Sequence, residues 1–359
     1  MWATHRGDFV DTPASVRIVL TMAFRVRSLQ RGELDSFLTC FQAAFAVDTD
    51  AISIVRNSLM NDPYFHPDRI RVGLLDGHIV SIAVILNRAA YVGNYVATVA
   101  GLTAVATAPD YQRRGFGTRV VQDAVRLIRQ QGYDLSMLTT RLPGFFSRFG
   151  YREVPKVNGY ECPASALSRL SVDPKFTIQK LDYQQHWPAL AALYHNYSQG
   201  RTGMQVRDMR FWETWPRRGT FPHGFSSELD ATGLVAVAAG QLVAYLAAHS
   251  PPEQRHLSVT ELAHLRGHGA AALALVQRAA ERYLRAGAGR AILHVGANAP
   301  ILRLLEEQHV PLHIEVGPGL MVLIPKRSWV REAGFRNVGD AIENLFRSPA
   351  PVVWYRDGY

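Results

Sequence analysis

Gln112, Arg113, Arg114, Gly115, Phe116 and Gly117 stand in a row, and together they are able to hold an anion. Two glycines, one residue apart, let the backbone approach a ligand and aim its N–H groups at one point, as phosphate binding requires. Two guanidiniums add full positive charge. Elsewhere the chemistry-bearing residues are dispersed. The chain has 13 histidines, and His256, His264 and His268 lack the tight spacing of a metal site. Its two cysteines, Cys40 and Cys162, form neither a disulfide framework nor a metal site and suit a reducing cytoplasm. No metal is expected.

The turn needs elements that fix it. Residues 102–107 form an apolar, partly β-branched run that reads as a strand, and Pro109 stops it. After the turn, Val121, Val125 and Ile128 recur at helical spacing. A strand, a glycine turn and a helix in that order place the partial positive charge of a helix N-terminus behind the anion. An ordinary turn with surface arginines would need no such conjunction.

At 359 residues the chain has room for two domains, and a 48% hydrophobic content supports real cores. No apolar run reaches about 18–20 residues, so no membrane span is expected. The net charge is +9. The arginines are scattered rather than gathered in one patch with interleaved aromatics, which argues against nucleic acid as the partner. A polyanionic cofactor accounts for the local basic turn.

Residues 1–21 are read as a disordered leader. The first domain is expected at 22–162: a strand at 24–29, an amphipathic helix over 32–45, and a second helix capped by Asp48 or Asp50. A hairpin at 70–86 then turns at Asp76-Gly77. The motif strand and helix, a strand at 135–140 and a short helix at 143–149 complete it. Residues 163–175 read as a linker. The plan then repeats weakly over 176–325, with the turn His264-Leu265-Arg266-Gly267-His268-Gly269. That second turn keeps its glycines, has His in place of Gln or Arg, and lacks the preceding proline. The second copy is therefore expected to be degenerate. Residues 326–359 are too few for a third domain, and their apolar, aromatic end is expected to dock on the body.

The stretch 101–130 resembles motif A of the Gcn5-related N-acetyltransferases (GNAT): a strand, a proline, then [QR]-x-x-G-x-[GA] opening a helix, here Gln112 to Gly117. The runs LSMLTTRLPGFFSRFGY at 135–151 and RTGMQVRDMRFWETWPRR at 201–218 are similar to those of the enhanced intracellular survival (Eis) group. This resemblance implies an α/β fold with mixed sheets, two tandem GNAT folds and a short C-terminal tail. It implies acetyl-CoA as cosubstrate and a small-molecule amine or a lysine-like side chain as acceptor, and it leaves assembly into a homo-oligomer open. Carried over by position, Val105, Ala106 and Thr107 would lie along the pantetheine arm and thioester. Gln112 and the run Arg113, Arg114, Gly115, Phe116, Gly117, Thr118 would hold the pyrophosphate. Arg141 and Leu142 would touch the cofactor again. The group's general-acid tyrosine falls at Phe146 in this chain. The group's C-terminal carboxylate, which reaches into the active site, falls at Tyr359.

The reaction so implied is direct attack of a neutral amine on the thioester. Backbone N–H groups near Val105 would face the developing oxyanion. An alkyl amine titrates near about 10, so a carboxylate or a relayed water should take its proton. The leaving thiol titrates near about 8.5, which makes the thiolate a tolerable leaving group without an acid. A Phe146 enzyme could then be slow, or could use another acid, without being dead. The alternative is a non-catalytic acyl-CoA-binding protein.

Overall fold

The structure, a computed structural model, describes residues 23–346 apart from 93, 155–156, 215–230, 251–254, 297–298 and 317–318. The expected leader at 1–21 and the expected docked end with Tyr359 lie outside the described residues.

The first unit runs β1 (Arg25–Ser28), α1 (Leu34–Phe45), α2 (Thr49–Met60), β2 (Ile70–Leu75), β3 (His78–Val92), β4 (Tyr95–Thr107), α3 (Phe116–Gln130), β5 (Leu135–Thr139), α4 (Pro143–Ser147) and β6 (Arg152–Val154). Local chemistry explains the joints. The Asp48 carboxylate accepts the Ala51 N–H at 2.8 Å and starts α2. Asp76 and Gly77 have φ of +50° and +86°, the backbone of a two-residue hairpin turn between β2 and β3. In α3, Val121, Val125 and Ile128 are buried against the sheet while the intervening Gln122 and Arg126 are exposed.

After β7 (Val157–Pro163) and α5 (Ala164–Ser168), the second unit runs β8 (Thr177–Lys180), α6 (Tyr183–Ser198), α7 (Met209–Thr214), β9 (Ala231–Ala238), β10 (Gln241–His249), β11 (His256–His264), α8 (Gly269–Arg285), β12 (Arg290–Leu293), α9 (Pro300–Glu307), β13 (His313–Val316) and β14 (Leu320–Leu323). Two helices follow, α10 (Arg327–Glu332) and α11 (Val338–Phe346).

These strands make two seven-stranded mixed sheets, in the orders β1-β2-β3-β4-β5-β14-β6 and β13-β7-β12-β11-β10-β9-β8. The units therefore exchange strands. β14 lies antiparallel between β5 and β6 of the first sheet, and β7 lies antiparallel between β12 and β13 of the second. The expected bounds at 22–162 and 176–325 thus each include one strand that pairs in the other unit's sheet. The sequence of β14 suits its place. Its four residues, Leu320, Met321, Val322 and Leu323, are all apolar and all buried, as a strand covered on both faces requires. Met321 and Leu323 join the core under α3, and Leu320 and Val322 join the core on the opposite face.

The linker at 163–175 contains α5, whose Ala164 and Leu167 are fully buried and which packs on α8. A third stitch joins the units where the chain after α6 meets β3. The Tyr91 N–H donates to the Met204 carbonyl at 2.8 Å, and the Val206 N–H donates to Ala89 at 2.7 Å. Residues 327–346 lie on the face of the first sheet opposite α3, with Trp329 fully buried in the same cluster as Val99, Leu135 and Val322.

Candidate active site

The site begins where two parallel strands part. β4 and β5 pair only from Val99–Leu135 to Gly101–Met137. The register of β4 on β3 slips between Ile82 and Val84, opposite Ala106 and Thr103. Ala104 sits in that slip with φ of +50°. An extra residue in one strand bends it and frees backbone groups from the ladder. Beyond the bulge the end of β4 is half-buried, whereas Ala97 and residues 99–102 are buried.

A cleft of about 1020 Å³ fills the gap. Residues 102–107 of β4 form its floor, and the turn and the start of α3 close one end. It collects Val105, Ala106, Thr107, Gln112, Arg113, Gly115, Phe116, Gly117, Thr118, Arg141, Leu142 and Phe146 on one surface. Arg114 is not brought to it. Its guanidinium lies 5.1 Å from the Phe116 ring centroid and 5.7 Å from that of Tyr111.

The turn is preorganised. Gly115 has φ of +82°, and a Cβ there would meet nothing within 4 Å. The backbone is thus strained for other residues while the space beside it is open. A Cβ at Gly117 would lie 3.1 Å from Thr107 Oγ1, so the helix starts tight against the strand. Gln112 Nε2 donates to the Thr107 carbonyl at 3.1 Å and ties the turn to the end of β4. Ser81 donates to the Ala106 carbonyl at 2.9 Å, so the Thr107 hydroxyl donates to Ser81 Oγ at 2.9 Å. The first N–H groups of α3 lack intrahelical partners, as at every helix N-terminus. Adjacent to open space, they and Arg113 fit the pyrophosphate of a coenzyme A thioester.

Phe146 is buried on the cleft wall, edge-on to Phe145 at 4.9 Å between ring centroids. Tyr151 packs behind it at 6.2 Å and is also buried. Ser136 Oγ donates to the Ala100 carbonyl at 2.9 Å, so the Tyr151 phenol donates to Ser136 Oγ at 2.7 Å. Burial holds its pKa well above the usual tyrosine value. Its hydroxyl faces Ser136, and Tyr151 does not line the cleft. Burial also pushes the Cys40 thiol up to about 11 and the Cys162 thiol to about 12, so neither is an activated nucleophile. The described residues lining the cleft include no carboxylate and no histidine. Phe41 and Phe45 of α1 also line it. In the sequence both belong to an apolar helix face, and nothing in their spacing separates cleft from core.

The second turn differs in what lies behind it. Gly267 has φ of +83° and open space beside it, and a cleft of about 1200 Å³ borders it. Only His264 of β11 lines that cleft. The rest of β11 is buried, and Glu261 is fully enclosed, bonded to Arg207 at 2.5 Å and to the Tyr245 hydroxyl at 2.7 Å. Leu304 presses on the helix start, 2.9 Å from where a Gly269 Cβ would stand. The strand along which a pantetheine arm would lie is closed.

Comparison with known proteins places the first unit in a family. Residues 25–154 match the family described as acetyltransferase (GNAT) domain. N-acetyltransferase Eis of Mycobacterium bovis is 26% identical over 151 residues, 38% of this chain and 35% of that protein. The match thus spans about a third of the relative's length. A probable N-acyltransferase of unknown function from Enterococcus faecalis V583 has a similar structure, with a TM-score of 0.70 and 15% identity over 86% of this chain and 74% of its own. Eis1 from Mycobacterium abscessus gives a TM-score of 0.59 and 17% identity over 84% and 74%. At these identities the structures establish the shared fold. The splayed strands, the turn and α4 all fall within the matched segment, so the open cleft is that of a GNAT acetyltransferase domain at residues 25–154, in a chain that is Eis-like in sequence and fold.

Proposed function

We propose that the protein is an N-acetyltransferase that moves the acetyl group of acetyl-CoA to a primary amine in the cleft of the first unit. One observation carries this reading: an open, left-handed Gly115 turn at the end of a strand whose last six residues, 102–107, all line one cleft. Acetyl-CoA supplies the activated acyl group as a thioester. Arg113 and the N–H groups from Gly115 to Thr118 would hold its pyrophosphate. Residues 105–107 would align the arm, and Arg141 and Leu142 would border it. The bulge at Ala104 frees backbone N–H groups near Val105 to face the acyl oxygen, the strongest single contribution a chain of this kind can make to the barrier. The buried free thiols Cys40 and Cys162 suit a reducing, cytoplasmic setting.

A non-catalytic acyl-CoA-binding protein is the second reading. Phe146 at the family's tyrosine position and the committed proton of Tyr151 favour it. A thiol-release assay over a panel of amines, beside calorimetry with acetyl-CoA, separates the two. Cofactor binding with no release on any amine would select the binding protein.

Phe146→Tyr is expected to raise turnover by about tenfold, a modest share of what a positioned acid supplies. The ring is retained, so packing survives once the hydroxyl finds a partner at the cleft. Tyr151→Phe is expected to leave turnover unchanged and to cost about 1 kcal/mol of stability, the worth of one buried hydrogen bond. A loss of turnover in a folded Tyr151→Phe protein would make that phenol the acid.

A further inference from the structure

We propose that the cleft of the second unit binds a phosphate monoester that carries a free hydroxyl, a sugar phosphate or a nucleoside monophosphate, rather than a second coenzyme A thioester. The site is separate from the acetyl-transfer cleft and does not depend on that reading. Part of it is an anion position. Gly267 has φ of +83° and open space beside it, and it leads into α8. The His268 side chain does not cap that helix. Gly269 and Ala270, in the first turn where N–H groups lack intrahelical partners, line the cleft. Arg201 and Arg266 line it as well. The Arg201 guanidinium lies 4.3 Å from the Tyr197 ring centroid, and its Nε donates to the Tyr197 carbonyl at 2.7 Å. Neither guanidinium pairs with a carboxylate among the described residues. Glu306 is the one carboxylate among the described lining residues, and Arg303 beside it pairs with Glu307 at 3.2 Å. Free guanidiniums at a helix start favour a phosphate.

The other part is a lone pair. His264 is 8% exposed and lines the cleft at the end of β11. Its Nδ1 lies 2.9 Å from the Leu265 carbonyl. A carbonyl only accepts, so Nδ1 carries the proton and Nε2 is an acceptor. Burial holds this imidazole below the usual histidine pKa, which keeps it neutral. Nε2 has no hydrogen-bond partner among the described residues. A buried acceptor left bare is costly, and a ligand hydroxyl is the donor that satisfies it. The ring's Cε1 lies 4.0 Å from where a Gly269 Cβ would stand, so the acceptor and the anion position share one end of the cleft. A phosphate and a hydroxyl on one small carbon frame span the two. A coenzyme A thioester finds no open strand for its arm, because β11 is buried. The remaining volume of this cleft of about 1200 Å³ is walled by Leu302 and by Ile314, which is 63% exposed, and a nucleobase would cover that surface.

The test is calorimetry on the full chain with excess acetyl-CoA present, using ribose 5-phosphate, ethyl phosphate and adenosine monophosphate as probes. At about pH 8 a phosphate monoester is a dianion with no proton of its own to donate. Ribose 5-phosphate is expected to bind one per chain and about tenfold more tightly than ethyl phosphate, the share of one hydrogen bond. His264→Phe keeps a ring against Tyr197 and should abolish that difference. Arg266→Glu, at an exposed position, should weaken both ligands by about tenfold or more. Adenosine monophosphate binding more tightly than ribose 5-phosphate identifies a nucleotide as the ligand, and equal or weaker binding identifies a sugar phosphate. In the wild type, the His264 Nε2 nitrogen resonance should move with ribose 5-phosphate and stay with ethyl phosphate, a readout that needs no variant. Absence of ribose 5-phosphate binding, affinity no better than that of ethyl phosphate, or binding indifferent to both substitutions overturns the proposal. Ribose 5-phosphate binding that acetyl-CoA displaces belongs to the first cleft and overturns it as well.

Discussion

Gly115→Asp is expected to weaken acetyl-CoA binding by at least about a hundredfold, or roughly 2.7 kcal/mol, while the protein stays folded. Two properties of the position make this a clean experiment. A Cβ there meets nothing within 4 Å, so the side chain displaces no core atom. The backbone has φ of +82°, a region that aspartate visits more readily than most residues, at a cost of about 1–2 kcal/mol. The carboxylate then projects into the space assigned to the pyrophosphate and repels it. Calorimetry with acetyl-CoA reads the loss, and thermal unfolding confirms the fold. Gly267→Asp is the matched control, because Gly267 has φ of +83° and equally open surroundings. It is expected to leave binding intact, since β11 behind it is closed. One-to-one binding that survives Gly115→Asp and disappears in Gly267→Asp would move the site to the second unit.

A fragment of residues 22–162 is expected not to fold, although it contains every residue of the cofactor cleft. Its sheet would lack β14, which lies between β5 and β6, and among the described residues β6 pairs with no other strand. It would also carry β7, whose partners β12 and β13 belong to the second sheet. The four buried apolar side chains of β14 and the cover supplied by Trp329 and Phe346 would all be lost. At about 1.5–3 kcal/mol for each buried apolar side chain, the loss is comparable to the 5–15 kcal/mol by which domains are typically stable, and the open edges left at β5 and β6 favour aggregation. Size-exclusion chromatography and amide NMR dispersion check this. A monomeric fragment with dispersed signals that binds acetyl-CoA would show that the exchanged strand is dispensable.

Much of the first unit is legible in the sequence because its signals are local. Pro109, the two glycines and the period of Val121, Val125 and Ile128 specify strand, turn and helix without reference to distant residues. Asp76-Gly77 specifies a hairpin for the same reason. The bulge at Ala104 is not legible: an alanine at φ of +50° carries no compositional mark, and only the pairing of β3 with β4 reveals it. Phe41 and Phe45 look like core residues, since the helical period reports a face and not what that face meets. Arg114 and Arg113 are equivalent in sequence. The fold sends one into the cleft and stacks the other on Tyr111 and Phe116.

By itself, then, the sequence determined the glycine turn between strand and helix, the order of elements and the presence of two related halves, because these depend on backbone preference and on periods of a few residues. Tertiary structure decided which turn opens onto a usable strand and which strands complete each sheet. β14 is uniformly apolar and β7 is mixed, and neither carries a local mark of the sheet that it joins. Their exchange is fixed by burial over more than 150 residues of intervening chain, from Val157 to Leu320. In the same way Gly115 and Gly267 have one conformation and different surroundings: open strand behind the first, and behind the second a buried Arg207–Glu261 pair that only the folded chain brings together.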